Sequence, residues 1–587
     1  MQNKFLIGLA LLASYGAGSI LAQTNTADDE PEIRSGVAMW VWTDKYIYSP
    51  GESATIRWTI KNAEDPNQYT LFLLRQDNQD GKRYYLPSAG EAATDIFNRT
   101  AGDGYQTTTL PNAEKEILVG EGGRVASVPL SLFEDYGMHT IIAQIRDRTG
   151  TRVLKSAYFK FGIVRGTEQL PNVISSSRTL TNDRAYRISG IVQVNNNAVL
   201  TVQPGTFIIG TPGSQPPSVL LVSTTGRLVA EGTRSRPIIM TSSQPFGQRQ
   251  RGDWGGLIML GRARLNDPSG SLFIEGLPDS PDNRYGGTDD THNCGSLRYV
   301  RVEFAGSLLR PNEETNSFTW GGCGSATKSE YLQASYGLDD SFEWFGGNND
   351  AKYLVGTYGA DDFIDTQIGY RGRVQYVVAV ANSDLSNRGI EADNYERDFA
   401  ARPLGKSGMY NFTFVGNAHL GSASRGYDEA DSPCIYTRRG AGGIYNNMLC
   451  LNWTTRTYGG ADFASIQPNM ANGDYSISGV VSWDNGRNVT PTPRANTLAD
   501  QVLPAFLPYA DNAARKIVFA NPNLRRPIEY SDPDFRPRTG SPVLRTGWTL
   551  SPDDGFFDQF ADYVGAFNLV DWTEEWTVFI QEQDMKP

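Results

Sequence analysis

From about Leu180 onward the chain is written in very short apolar runs, each closed by Gly, Asn or Pro. Val199-Leu200-Thr201-Val202, Phe207-Ile208-Ile209, Val219-Leu220-Leu221-Val222, Leu228-Val229-Ala230 and Ile238-Ile239-Met240 follow one another with no helical pattern between them. Strands this short cannot bury a face alone. Stacked on the matching strands of the next coil they can, which is the construction of a parallel β-helix. One repeat can be counted. Tyr336-Gly337-Leu338-Asp339-Asp340 recurs as Tyr358-Gly359-Ala360-Asp361-Asp362, an offset of 22 residues at every matching position. Phe342 then answers to Phe363, which predicts a slip of one residue in the register.

Composition agrees with an all-β chain. The 61 glycines, 31 prolines and abundant aromatics (11 Trp, 28 Tyr, 26 Phe) suit many strands and tight turns rather than long helices. The net charge of −12 gives no basic face for phosphates, so nucleic acid is not an expected partner. The acidic balance allows divalent cations, or neutral or cationic ligands.

Five segments are expected. Residues 1–22 read as a signal peptide: Lys4 is the charged start, Phe5 to Leu12 the apolar core, and cleavage falls after Ala22. Residues 23–36 are a polar leader. Residues 37–165 alternate like half-buried strands (Ala54, Ile56, Trp58 and Ile60 are one example), which predicts an immunoglobulin-like β-sandwich. Residues 166–500 form the β-helix, and residues 501–587 a C-terminal segment that caps it. No later stretch is apolar enough to span a bilayer, so no integral membrane segment is expected in the mature chain.

Four cysteines in an exported chain suggest disulfides. Proximity favours Cys294–Cys323 and Cys434–Cys450, with three connectivities open. Zinc is disfavoured: there is no CxxC pair, and the histidines are only His139, His292 and His419. None of these comes with a nucleophile motif. The sequons begin at Asn98, Asn411, Asn452 and Asn488.

The stretches VLTVQPGTFIIGT, LVAEGTRSRPIIMTSS, GDWGGLIMLGRA, LRYVRVEFAG and DDSFEWFGGNNDAKYLV, with the tail DPDFRPRTGSPVL through DYVGAFNLVDWTEEWTVF, resemble the secreted right-handed parallel β-helix proteins of Gram-negative bacteria, which have a pectate-lyase-like fold. Many of those have no assigned function. The resemblance covers roughly residues 170–587 and implies the fold and its handedness. Across the wider class it admits polysaccharide lyases, glycoside hydrolases, adhesins and passive scaffolds.

The densest acids are Asp339, Asp340, Glu343, Asp350, Asp361, Asp362 and Asp365. The 22-residue repeat stacks Asp339 by Asp361 and Asp340 by Asp362, at the ~4.8 Å strand spacing. Two like charges at that distance repel by roughly 3–4 kcal/mol at an effective dielectric near 20. A bound Ca²⁺ held by Asp339, Asp340, Asp361, Asp362 and Asp365 relieves this; so does a raised pKa, a neighbouring Lys352, Arg371 or Arg373, or solvent. Arg388 is expected as a salt-bridge partner. Glu343, Lys352, Arg371, Arg373 and Trp344 are the candidate ligand-binding residues, although aromatics here also suit the core. Glu391-Ala392-Asp393 and Asp428-Glu429 are read as turn caps at coil corners.

The expected function is an exported, non-enzymatic structural or adhesive protein (extracellular, at the cell surface or periplasmic) that binds glycan and a divalent cation. Two alternatives stand: a polysaccharide lyase or glycoside hydrolase working from an acidic groove, and a surface filament or surface-layer subunit that self-associates through open coil ends.

Overall fold

Position 22 residues on is where the chain meets itself. Ser335 pairs with Thr357 in a parallel ladder, and the rings of Tyr336 and Tyr358 lie 5.1 Å apart on adjacent coils. The computed structural model that shows this describes residues 36–62, 69–76, 83–85, 124–129, 135–147, 152–310, 313–381, 386–417, 433–453, 455–459, 463–485, 506–510 and 512–585. The signal peptide, most of the leader, Asp428-Glu429, His419, Asn98 and Asn488 lie outside the described residues.

Each coil contributes to two parallel sheets. A ten-stranded sheet runs from Val173–Ile174 to Tyr458–Gly459, and a fifteen-stranded sheet carries the longer strands. Interior residues stack on their own kind. Phe318 pairs with Phe342, then come Ile364, Ile390 and Ile435. Trp320 stacks on Trp344 at 4.7 Å, and Trp344 on Tyr370 at 5.3 Å. The predicted slip does not occur. Phe342 pairs with Ile364, not Phe363, and the offset stays at 22. Phe363 stands in a bend just before the strand, and both side chains point into the core.

The long strands turn a corner at a column of left-handed residues. Tyr299, Tyr331, Tyr353, Tyr376, Asn411 and Asn447 have φ between 47° and 63°, and Gly479 continues the column. Each interrupts the pairing, as when Arg298 pairs with Glu330 and Val300 with Leu332. Positive φ costs a bulky residue energy. Here ring stacking offsets part of that: Tyr299, Tyr331, Tyr353 and Tyr376 follow one another at 4.4, 4.3 and 5.0 Å. Both described sequon asparagines, Asn411 and Asn452, are buried; Asn411 Nδ2 donates to the Tyr563 carbonyl at 2.7 Å.

Among the described residues before Val164, a three-stranded and a five-stranded sheet share one core. Pairing is antiparallel, except where Ile47–Tyr48 runs parallel to Gly162–Ile163. Ala54, Ile56 and Ile60 face that core, as their alternation predicts.

Phe506 stacks on Tyr458 at 4.0 Å and, with Ala510, joins the interior core of the coils. The chain beyond it turns back along the flank of the long sheet. Ala566 N–H donates to Thr413 Oγ1, Asp558 N–H to Gln375 Oε1 and Val578 N–H to Gln333 Oε1, each at 2.8–2.9 Å. Its end closes a buried network. Arg249 contacts Glu582 and Glu303, Arg301 contacts Glu303, and Tyr46 of the N-terminal sheets joins Arg301 and Glu303. Among the described residues no helix is long and apolar enough to cross a membrane.

Candidate functional site

Five strands of the ten-stranded sheet build the acidic face: β1 (Phe318–Gly321), β2 (Phe342–Phe345), β3 (Ile364–Gln367), β4 (Ile390–Asp393) and β5 (Ile435–Arg438). Alternation puts the first residue of each inside and the second outside. The second positions are Thr319, Glu343, Asp365, Glu391 and Tyr436, in register. Three carboxylates therefore follow one another on consecutive strands.

A second column stands in the connection two residues before each of the first four strands. Asn316 Oδ1 accepts from the Asp340 N–H at 3.1 Å, Asp340 Oδ1 from the Asp362 N–H at 3.0 Å, and Asp362 Oδ1 from the Arg388 N–H at 2.7 Å. Asp and Asn suit these positions because a short side-chain acceptor satisfies a backbone donor where strand pairing has not begun. Asp339 and Asp361 sit one residue earlier and are half-buried; Asn387 Nδ2 donates to Asp361 at 3.0 Å.

Charge is compensated at one end only. Arg388 contacts Asp362 and Glu391, Arg438 contacts Glu391 and Asp393, and Arg439 contacts Asp393 at 2.7 Å. Among the described residues, no cation forms an ion pair with Asp339, Asp340, Glu343, Asp361 or Asp365. Glu343 instead accepts from Asn316 and Gln367, and Asp365 Oδ1 is buried without a hydrogen-bond partner among the described residues. Two groups converge, Asp339–Asp340–Asp361 and Asp340–Glu343–Asp365, each with one oxygen per carboxylate within 4.8 Å of the others. Asp340 belongs to both.

Burial, reinforced by neighbouring acids, holds these carboxyls above their ordinary range. Asp339 is raised by burial and Asp361, Asp340 by burial and Asp339, Glu343 by burial and Glu275, Asp365 by burial and Glu391. Burial pushes Asp362 up to about 6 against the pull of Arg388. Burial and Asp362 push Glu391 up to about 8 despite Arg388 and Arg438.

The chain between Leu260 and Gly295 folds over part of this sheet. Its Leu265, Ile274, Leu277 and Tyr285 pack with Phe345 and Ile368, and Asn266 Nδ2 donates to Asn394 Oδ1 at 2.8 Å. Asp340 and Asp362 are only 6% and 3% exposed.

The other candidate residues lie elsewhere. Trp344 is fully buried in the core stack. Lys352 Nζ donates to the Phe556 carbonyl in the C-terminal segment. Arg373 is held by Asp350 and Asp554, and Arg371 by Asp290 at 3.2 Å. None of the three cations interleaves the acids. Arg388 does, as expected of a salt-bridge partner. Arg438 does too, and it was not foreseen. Glu391 and Asp393 are not turn caps but strand residues, with Glu391 paired to Asp365. The signal was available: Asn316, Asp340, Asp362 and Arg388 each stand two residues before an interior Phe or Ile. Both favoured disulfides form, Cys294–Cys323 and Cys434–Cys450.

Residues 172–502 match the model of the pectate-lyase-like β-helix domain. The chain belongs to that family. The match covers over half its length and agrees with the two parallel sheets. No curated protein and no solved structure matches it. The β-helix, the two disulfides and the lack of a long apolar helix among the described residues are compatible with export.

Proposed function

We propose that this β-helix protein is an exported, non-enzymatic scaffold, structural or adhesive, whose acidic columns take up a divalent cation. The observation that carries the reading is Asp340, shared by two converging groups of carboxylates that no cation among the described residues pairs with. Five such carboxylates fit a hard cation. Calcium accepts six to eight oxygens in flexible geometry, so Asp340 with Asp339 and Asp361, or with Glu343 and Asp365, would hold it together with water. The buried, unpartnered Asp365 Oδ1 suits the same role.

Catalysis on a polysaccharide is less well supported. A lyase needs a base beside the acids, yet Lys352, Arg371 and Arg373 are engaged elsewhere, and Arg388 and Arg438, which do stand among the acids, are held in ion pairs with Asp362, Glu391 and Asp393. Asp340 and Asp362 are too covered to reach a polymer. Against a filament stacked end to end, Phe506 packs on Tyr458 of the final strand of the ten-stranded sheet.

The test is a thermal melt of the chelator-treated protein with and without Ca²⁺, repeated on Asp340→Asn. Binding to the native state raises the melting temperature by mass action. The reading predicts a rise in the parent and a smaller one in the variant. Turnover of a polysaccharide, lost in Asp340→Asn, would overturn it.

A further inference from the structure

Away from the acids, three parts of the chain leave a crevice of about 870 Å³ between them. The N-terminal sheets contribute Trp40 and Tyr158, the β-helix contributes Arg234, and the C-terminal segment contributes Arg525, Glu574 and Phe579. That volume lies within the roughly 300–1,000 Å³ of ordinary ligand sites, which favour domain junctions.

The walls are fixed before any ligand arrives. Lys155 bonds Asp532 at 2.7 Å, Arg526 bonds the same carboxylate at 3.0 Å, and Lys160 holds Glu575 at 3.2 Å. Arg234 Nε donates to the Glu574 carbonyl at 2.9 Å. Polar capacity remains. The Glu574 side chain is 53% exposed, with Arg234 the nearest cation at 3.8 Å. Trp40 is buried, and its indole N–H has no hydrogen-bond partner among the described residues.

Charge and shape select the ligand. Six basic and five acidic side chains line the crevice, so their charges nearly cancel and neither a polyanion nor a polycation is favoured. Planar guanidinium and carboxylate groups that donate and accept side by side match vicinal hydroxyls. We propose that this crevice is a binding site for a neutral oligosaccharide. It shares no residue with the acidic columns, so it stands or falls apart from the cation.

The test is calorimetric titration of the full-length protein with maltotriose, cellotriose, chitotriose and mannotriose, with trigalacturonate as the acidic comparison. Trp40→Phe removes the orphan donor together with part of the ring, and Glu574→Gln keeps shape and removes charge. Saturable binding of a neutral trisaccharide, weakened about tenfold or more by either variant at an unchanged melting temperature, is the expected result. Preference for trigalacturonate, no heat with any probe, or binding indifferent to both variants overturns the proposal.

Discussion

Asp340 Oδ1 accepts the backbone N–H of Asp362 at 3.0 Å, so one carboxylate bridges two coils and still takes part in both converging acid groups. Its two duties can be separated by substitution. Asparagine keeps the acceptor and removes the charge, whereas alanine removes both.

Without calcium, Asp340→Ala is therefore expected to lose about 1–3 kcal/mol, because the buried Asp362 N–H is left without a partner. Asp340→Asn is expected to be neutral or stabilising under the same conditions, since it relieves like-charge repulsion. Urea denaturation in chelator checks both. Equal losses in the two variants would show that the hydrogen bond is not the difference.

The raised carboxyls set a pH dependence with a definite sign. In the folded state these groups hold protons that the unfolded chain has released, so stability falls as pH rises from the unfolded pKa through the folded one. For Asp362 this window runs from 3.8 to about 6, and for Glu391 from 4.5 to about 8. Asp339, Asp340, Glu343 and Asp365 act in the same direction. Melting temperatures in chelator are expected to decline between about pH 4 and pH 8 from these groups. Saturating Ca²⁺ is expected to flatten the decline, because it stabilises the charged form. A rising profile would contradict this account of the acids.

Glu303 is the common partner of Arg249 and Arg301 where the N-terminal sheets, the β-helix and the chain end meet. Glu303→Ala leaves buried guanidinium charge poorly compensated, for which roughly 3–5 kcal/mol is expected. Chemical denaturation measures this, and a loss below about 1 kcal/mol would mean that Glu582 and Tyr46 suffice.

The disulfides close loops with sequence separations of 29 and 16. By loop-closure entropy each contributes about 3–4 kcal/mol. The pair Cys294→Ala and Cys323→Ala is expected to lose that amount, read as a shifted denaturation midpoint. An unchanged midpoint would place the stabilisation in packing alone.

The sequence carried the solenoid because interior residues stack on like residues, and the coil length repeats at Tyr336 and Tyr358. The acids at 339–340 and 361–362 were legible for the same reason. Glu391 was not, because the connection between Gln367 and Ile390 is longer and hides its place above Asp365. Lys352 and Arg373 looked close in the text, but they belong to the other sheet and face the C-terminal segment. Periodicity says nothing about that segment, which has no repeat. Its contacts at Gln333, Gln375 and Thr413 depend on a chain that returns from beyond the last coil.

Calorimetric titration of chelator-stripped protein with Ca²⁺ tests the central claim most directly. Saturable binding that weakens strongly in Asp340→Asn and Asp365→Asn, but persists in Lys352→Gln, is predicted. No binding heat in the folded parent protein, or affinity untouched by either acidic substitution, would contradict it.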